Sequence, residues 1–196
     1  HHNGSISAYP PVVEAIKESD IILIGPGDLF TSVIASLIIP GIKEAIQDTN
    51  ARIFYILNIM TKFGETHNFK GIDFVQKIER YLGRQVNGII CNDRKPNSRL
   101  LEKYQSEKSD FVEIEQLKKR MNNRLIYAGD LLDSSADIVR HDSKKLASMV
   151  QSIIFKKHFF EPKKLTNDPI LMQFVLKDSV KMPIKDKNVN ASQRIA

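Results

Sequence analysis

The chain has 196 residues, of which 42% are hydrophobic and 27% are charged, a composition that suits one globular domain and excludes a fibrous or wholly disordered protein. A single cysteine, Cys91, excludes an internal disulfide and a thiolate zinc cluster, and favours a protein of the reducing cytoplasm. The segment 156–196 holds nine Lys or Arg and four Asp or Glu, so it carries +5 of the net charge of +6, and the nearly neutral remainder predicts no nucleic-acid-binding surface.

The first part of the chain predicts a helix, a strand and a second helix. Residues 10–19 carry apolar side chains at helical spacing, and the uninterrupted apolar run 21–24 is typical of a strand covered on both faces in a parallel sheet. A glycine-rich turn ends this strand. We expect a helix after the turn, with Thr31 or Ser32 as its N-cap.

Two further predicted strands end in asparagine. The strand 52–57 is followed by Asn58 and a long polar loop, whereas the strand 86–91 stops at Asn92. Between them, residues 72–82 repeat apolar side chains at helical spacing, which predicts a helix. Weaker patterns predict the remaining elements, which are a helix at 99–104, strands at 111–114 and 125–127, and a helix at 144–155.

The alternation of strands and helices predicts an α/β fold with a doubly wound, mostly parallel sheet over residues 1–158. Residues 159–196 are expected to form a basic C-terminal extension that docks through 170–176. Each apolar stretch is shorter than the roughly 20 residues that a bilayer span needs, and no signal peptide opens the chain, so we expect no membrane anchor.

The turn after the first strand is a candidate binding segment, because ligands of such sheets bind beyond the carboxyl ends of the strands. Its glycines allow backbone amides to approach an anion, and its hydroxyl groups can donate hydrogen bonds. The same residues also suit a purely structural turn, in which Asp28 caps the following helix. The candidates here are Gly25, Pro26, Gly27, Asp28, Thr31 and Ser32.

The polar loop after Asn58 is a second candidate segment. It is longer than a typical connection and contains Thr61, Glu65 and His67, which fits a binding loop, although plain solvent exposure explains the same polarity. A lone histidine in a polar loop, such as His67, is more typical of a solvated side chain than of a general base.

A third candidate group combines Asn92, Tyr104 and Arg140. Tyr104 can stack on a base while Asn92 reads its edge, or Tyr104 can cover the core from a helix. Arg140 suits a phosphate contact, or an ion pair with Asp142 at the surface. The sequence has no metal-ligand spacing, no nucleophile elbow and no Walker loop, so no resident metal is predicted.

Three blocks of the sequence resemble, in the same order, those of one known superfamily. They are GPGDLFTSVIASLIIPGIKEAI, LNIMTKFGETHNF and IVRHDSKKLA. The chain is similar to the 2-phospho-L-lactate transferase and gluconeogenesis-factor superfamily, and resembles its bacterial gluconeogenesis-factor branch more closely than the archaeal transferases. This resemblance implies a Rossmann-like sheet, and a uridine diphosphate sugar as the ligand of a non-enzymatic regulator of carbon metabolism, cell-wall synthesis and cell shape.

The resemblance also implies roles for individual residues. Asn58, Thr61 and Glu65 would line the cleft, while Tyr104 and Arg140 would contact the nucleotide. The diphosphate or the sugar would lie against residues of the first turn and the following helix, namely Gly25, Gly27, Thr31 and Ser32. The family resemblance also allows a homodimer.

The transferase branch implies an alternative function. Its members move a phospholactyl group from a guanosine-diphosphate-activated donor onto a deazaflavin alcohol in coenzyme F420 synthesis, and here Asp28 would be the candidate catalytic residue, with Mg²⁺ as a cofactor. The family's opening strand and glycine-rich phosphate loop do not appear in the sequence, so we expect the C-terminal portion of the family fold. Lys62 stands where glutamine is common, and either adds a phosphate contact or is simply exposed.

Overall fold

The computed structural model describes residues 6–121 and 124–160, and these contain one four-stranded parallel sheet. The strands lie in the order β1-β2-β3-β4, and every neighbouring pair is parallel. Their bounds are β1 (Ile21–Ile24), β2 (Arg52–Ile56), β3 (Gly88–Asn92) and β4 (Leu125–Gly129). The predicted α/β fold with a parallel sheet is therefore confirmed.

Helices connect the strands, as parallel strands require. The first helical segment after β1, α2, starts as a π-helix at Leu29–Ile34 and continues as an α-helix through Ala35–Leu37. The other helices are α1 (Pro10–Glu18), α3 (Ile42–Asp48), α4 (Gly71–Leu82), α5 (Ser98–Ser106), α6 (Glu115–Arg120) and α7 (Ser143–Phe160). Helix α3 packs against α1 and α4, and α4 packs against α6.

The core lies between the sheet and these helices. Alternate side chains of one face of the sheet, among them Ile53, Tyr55 and Leu57, belong to one buried cluster. Helix α4 adds its apolar stripe to the same cluster, namely Ile72, Val75, Ile78 and Leu82. Side chains on one face of a strand recur every two residues, whereas side chains on one face of a helix recur every three or four residues. The core is formed where these two apolar faces pack together.

The strand order runs in one direction from β1 to β4. The reversal of strand order that defines a doubly wound sheet does not occur among the four described strands. The carboxyl ends of all four strands lie at the same edge of the sheet, because the strands are parallel. This edge carries the turn after β1 and the loop after β2.

Two local predictions are wrong. Helix α2 begins at Leu29, so Thr31 and Ser32 lie exposed within the helix and neither is its N-cap. The segment 111–114 is not a strand, because Phe111 makes only an isolated antiparallel bridge with Met60 and helix α6 begins at Glu115. The strand predicted at 125–127 is confirmed as part of β4.

The described part of the chain includes one compact unit that ends at Gln151, and residues from Ser152 onward belong to a second unit. Most of the predicted basic extension, including its docking segment at 170–176, lies outside the described residues. Within the described ranges, no single helix is long and apolar enough to cross a membrane, and only the bent pair Leu29–Leu37 and Ile42–Asp48 meets the length and composition criteria together.

Candidate functional site

A cleft of about 540 Å³ opens where β1 and β2 end. The turn after β1 and the loop after β2 form part of its wall, and the end of α5 with the segment before α7 form the rest. Its lining falls into short stretches of sequence, which are 26–29, 58–62, 65–66, 104, 107, 109 and 139–141. Segments from distant parts of the sequence therefore meet at the carboxyl edge of the sheet.

Asn58 joins the two strand ends that frame the cleft. Its Nδ2 donates a hydrogen bond of 2.8 Å to the carbonyl oxygen of Gly27, and its Oδ1 accepts one of 3.2 Å from the Tyr55 hydroxyl. Tyr55 is fully buried, and this burial raises the pKa of its hydroxyl well above the ordinary value. The amide of Asn58 thus fixes the glycine turn relative to the loop after β2.

Lys62 forms ion pairs with two carboxylates of the cleft. Its Nζ contacts Asp28, from the glycine turn, and lies 2.7 Å from Oε1 of Glu65. The hydrogen bond that Lys62 donates to Asp28, followed by the one it donates to Glu65, raises the pKa of Lys62 to about 12. Asp28 occupies the N-cap position of α2, but its side chain makes no capping hydrogen bond within the described structure, so the capping role is wrong and the ion pair replaces it.

The loop after β2 is held in place by threonine hydroxyls. The backbone amide of Thr61 donates to the carbonyl of Asp110, and its hydroxyl accepts from the Asp110 amide, each at 2.8 Å. The hydroxyl of Thr66 accepts from the Lys62 amide at 2.9 Å. Both threonines are buried. This network orders the loop and gives Thr61 a structural role at the wall of the cleft.

Tyr104 and Arg140 meet the cleft from its other side. The Tyr104 hydroxyl accepts a hydrogen bond of 3.1 Å from the Val139 amide, which ties α5 to the segment before α7. Arg140 donates from Nε to Oδ2 of Asp133 at 3.0 Å, and its side chain is 59% exposed. The predicted alternative partner, Asp142, instead accepts the backbone amides of residues 144 and 145 at the start of α7. The alternative pairing of Arg140 with Asp142 is therefore wrong.

Two polar atoms of the cleft are buried without a hydrogen-bond partner. Oε2 of Glu65 is one of them, while Oε1 of the same carboxylate binds Lys62. Nε2 of His141 is the other. Burial lowers the pKa of His141, and a hydrogen bond to the backbone of Leu57 opposes that shift. Two residues that line the cleft therefore each hold a buried polar atom whose hydrogen-bonding capacity is unused.

The family assignment follows from a sequence match. The family profile described as 2-phospho-L-lactate transferase CofD matches residues 2–132. The chain belongs to this family. The matched span includes the glycine turn, the loop after β2 and Tyr104, and it ends before Arg140 and His141. The family predicted from the three sequence blocks is confirmed.

Relatives from two bacteria carry the name "Putative gluconeogenesis factor". The protein of Thermotoga maritima is 40% identical over 153 residues, which cover 76% of this chain and 48% of the relative. The protein of Aquifex aeolicus is 34% identical over 143 residues, which cover 72% of this chain and 44% of the relative. The chain therefore spans about half the length of the curated relatives it matches.

A solved structure shows the same fold. The crystal structure of protein BH3568 from Bacillus halodurans superposes with a TM-score of 0.69 at 30% sequence identity. The match covers 76% of this chain and 49% of the Bacillus chain. The chain thus shares the fold of about half of that protein.

The structure brings most of the predicted site residues to one cleft. Those that line it are Pro26, Gly27, Asp28, Asn58, Thr61, Glu65, Tyr104 and Arg140. Gly25 precedes the lining residues of the turn, while Thr31 and Ser32 are exposed on α2 outside the lining. Asn92 is buried, and its amide is used to accept from the Leu131 amide at 3.0 Å and to donate to the Arg94 carbonyl. Asn92 therefore joins the ends of β3 and β4 and does not line the cleft.

Sequence reasoning missed His141 and left Lys62 undecided. His141 stands in the arginine-histidine-aspartate block, from which only Arg140 was selected as a site residue. The position of His141 within that block was the signal from which its place in the cleft could have been predicted. His67, in contrast, is exposed, its ring lies against that of Phe63, and it does not line the cleft.

Proposed function

We propose that this chain forms one wall of a binding site for a nucleotide sugar, with a uridine diphosphate sugar as the ligand, in a cytoplasmic regulator of the gluconeogenesis-factor type. On this proposal, occupancy of the cleft alters contacts with partner proteins that act in carbon metabolism and in cell-wall and cell-shape control. The observation that carries it is one cleft containing a glycine turn, a tyrosine ring, an exposed guanidinium and unpaired buried polar atoms. The names of the relatives from Thermotoga and Aquifex point in the same direction.

The chemistry of the cleft suits the separate parts of such a ligand. An arginine fork binds a diphosphate through paired hydrogen bonds, and Arg140 lines the cleft with its Nε already held by Asp133. An aromatic ring such as that of Tyr104 offers a flat face to a base. The volume of about 540 Å³ lies within the usual range for ligand pockets, roughly 300–1,000 Å³.

The regulatory role is favoured over catalysis by the state of the carboxylates. Asp28 and Glu65 share the single ammonium group of Lys62, so the carboxylate predicted for catalysis is engaged in an ion pair. Among the residues that the structure describes, no three His, Cys, Asp or Glu side chains come together as metal ligands. Magnesium in a transferase reaction would therefore be held mainly by the phosphates of the donor.

Binding of UDP-glucose to the intact protein is expected to raise its melting temperature, because a ligand that binds only the folded state stabilises it by about 2.7 kcal/mol at a hundredfold excess over Kd. Arg140→Ala should weaken this binding by roughly tenfold or more, since a hydrogen bond to a charged group contributes about 1.5–3 kcal/mol. Thermal shift and isothermal titration calorimetry measure both effects. Arg99→Ala, on the exposed side of α5, is the control and should bind like the wild type.

Failure of every uridine and guanosine nucleotide to shift the melting temperature would remove the basis of this proposal. So would equal affinity of the Arg140→Ala and Arg99→Ala proteins for UDP-glucose. Turnover of the nucleotide during the titration would instead favour the enzymatic alternative.

That alternative is a transferase that uses a nucleotide-activated donor, and the family description supports it. Asp28, beside the glycine turn, is then the residue to test. With a guanosine-diphosphate-activated phospholactate donor, a deazaflavin alcohol and magnesium, this function predicts release of guanosine monophosphate. Asp28→Asn should abolish the release, as measured by chromatography of the nucleotides. Absence of release from the wild-type protein would exclude this reaction with these substrates.

A further inference from the structure

We propose that Glu65 and His141 form a hydroxyl-binding subsite within the cleft, and that this subsite receives a sugar ring and not the phosphates. The inference rests on the proposed nucleotide-sugar function and assigns a sugar ring of the ligand to two named atoms. Among the side chains that the structure describes, Oε2 of Glu65 and Nε2 of His141 are buried polar atoms without a hydrogen-bond partner. Both residues line the same cleft.

Unpaired buried polar atoms are rare in folded proteins, because such atoms lose their hydrogen bonds to water without a replacement. Two of them in one cleft, on segments that are far apart in the sequence, indicate groups that a ligand completes. The surrounding network supports this interpretation, since Thr66 and Lys62 fix the loop that carries Glu65. The side chain of Glu65 is only 17% exposed, so little water reaches it.

The chemistry of the two atoms defines the ligand group. A carboxylate oxygen only accepts hydrogen bonds, and the other oxygen of Glu65 already accepts from Lys62. The hydrogen bond of His141 to the Leu57 backbone uses the other ring nitrogen, Nδ1, because Nε2 has no partner. In a neutral ring with its proton on Nδ1, Nε2 is an acceptor. Both atoms therefore require donors from the ligand.

A hydroxyl-bearing ring supplies such donors, whereas a diphosphate at neutral pH supplies acceptors and negative charge. A phosphate against Glu65 would repel its carboxylate. The phosphates are then left to Arg140, because the ammonium group of Lys62 is already paired with Asp28 and Glu65. The cleft thus has acceptor atoms for the hydroxyl groups of a sugar ring and a guanidinium group for the diphosphate.

Isothermal titration of the intact protein with UDP-glucose, UDP and 2′-deoxy-UDP tests the subsite. Glu65→Gln replaces one acceptor by a carboxamide, and His141→Phe keeps a ring but removes Nε2. We expect each variant to bind UDP-glucose about tenfold or more weakly than the wild type. Glu102→Gln on α5 and His67→Phe are matched controls, because both residues are exposed and lie outside the cleft.

The three ligands identify which hydroxyl groups are bound. If they belong to the hexose, UDP affinity stays within about twofold of the wild type in both variants. If they belong to the ribose, UDP affinity falls with UDP-glucose affinity, and the wild type already binds 2′-deoxy-UDP more weakly than UDP. Either pattern supports the subsite. Unchanged affinity of both variants for UDP-glucose overturns it.

A separate measurement distinguishes failure of the subsite from failure of the proposed function. A wild-type protein that binds no nucleotide contradicts the nucleotide-sugar function, and glucose alone then tests the subsite by thermal shift. Sugars stabilise proteins generally by exclusion from the surface, so the comparison is between proteins at one glucose concentration. The wild type should gain more stability than Glu65→Gln and His141→Phe, and equal gains in all three proteins overturn the subsite.

Discussion

Replacing Glu79 by glutamine is expected to lower the free energy of unfolding by about 3–5 kcal/mol, because it leaves a buried guanidinium without its counter-charge. Glu79, on α4, and Arg124, just before β4, form a bidentate ion pair with N–O distances of 2.9 Å from Nη2 to both carboxylate oxygens. Their side chains are only 14% and 11% exposed. Oε1 of Glu79 also accepts from the Val86 amide at 3.0 Å, so one carboxylate joins α4 to the segments just before β3 and β4.

Glu113→Gln is the matched control for this prediction. Glu113 pairs with Lys70 at 3.3 Å, but the two side chains are 60% and 48% exposed, and an exposed pair typically contributes about 0–1 kcal/mol. Equilibrium unfolding in urea measures both variants. A loss for Glu79→Gln that is no larger than the loss for Glu113→Gln would show that burial of the Arg124 pair does not stabilise the fold.

The parallel sheet could be predicted because each central strand is a short, continuous run of apolar residues. Residues 52–57 and 86–91 are apolar runs, and β2 and β3 occupy the buried centre of the sheet, so the pattern and the environment agree. The segment 111–114 resembles a strand in sequence, because three of its four residues are apolar and two of them are β-branched. Its strand-like pairing is limited to one bridge from Phe111 to Met60 in the loop after β2, and no sequence period encodes a single long-range pair.

The cleft could be predicted from the rule that parallel strands end at one edge of the sheet. Asn58, which comes after β2, lines the cleft as this rule predicts. Asn92, the last residue of β3, also lies at a strand end, but its amide is hydrogen-bonded to the backbones of Leu131 and Arg94 and does not line the cleft. Lys62 and His141 could not be assigned from spacing. Their roles depend on partners 34 and 84 residues away, Asp28 and Leu57, which only the folded chain brings together.

Replacing Gly25 by alanine is expected to lower the free energy of unfolding by about 2–5 kcal/mol and to weaken ligand binding by more than tenfold. Gly25 has φ of +86°, a left-handed conformation that costs other residues roughly 1–2 kcal/mol. A Cβ atom there would also lie 3.0 Å from the carbonyl oxygen of Ile56, and overpacking typically costs about 1–3 kcal/mol. Because Ile56 belongs to the central strand β2, the turn must move instead, and it would carry Gly27 away from Asn58.

Gly64→Ala separates the two contributions to the loss of stability, which are backbone strain and close packing of the Cβ atom. Gly64 has φ of +83°, nearly the value of Gly25, but a Cβ atom built on it meets nothing within 4 Å. This variant should therefore lose only the roughly 1–2 kcal/mol of backbone strain and should keep its affinity for UDP-glucose. Urea unfolding and isothermal titration of both proteins measure the difference. Equal stability and equal affinity in the two variants would mean that close packing of the turn against β2 does not shape the cleft.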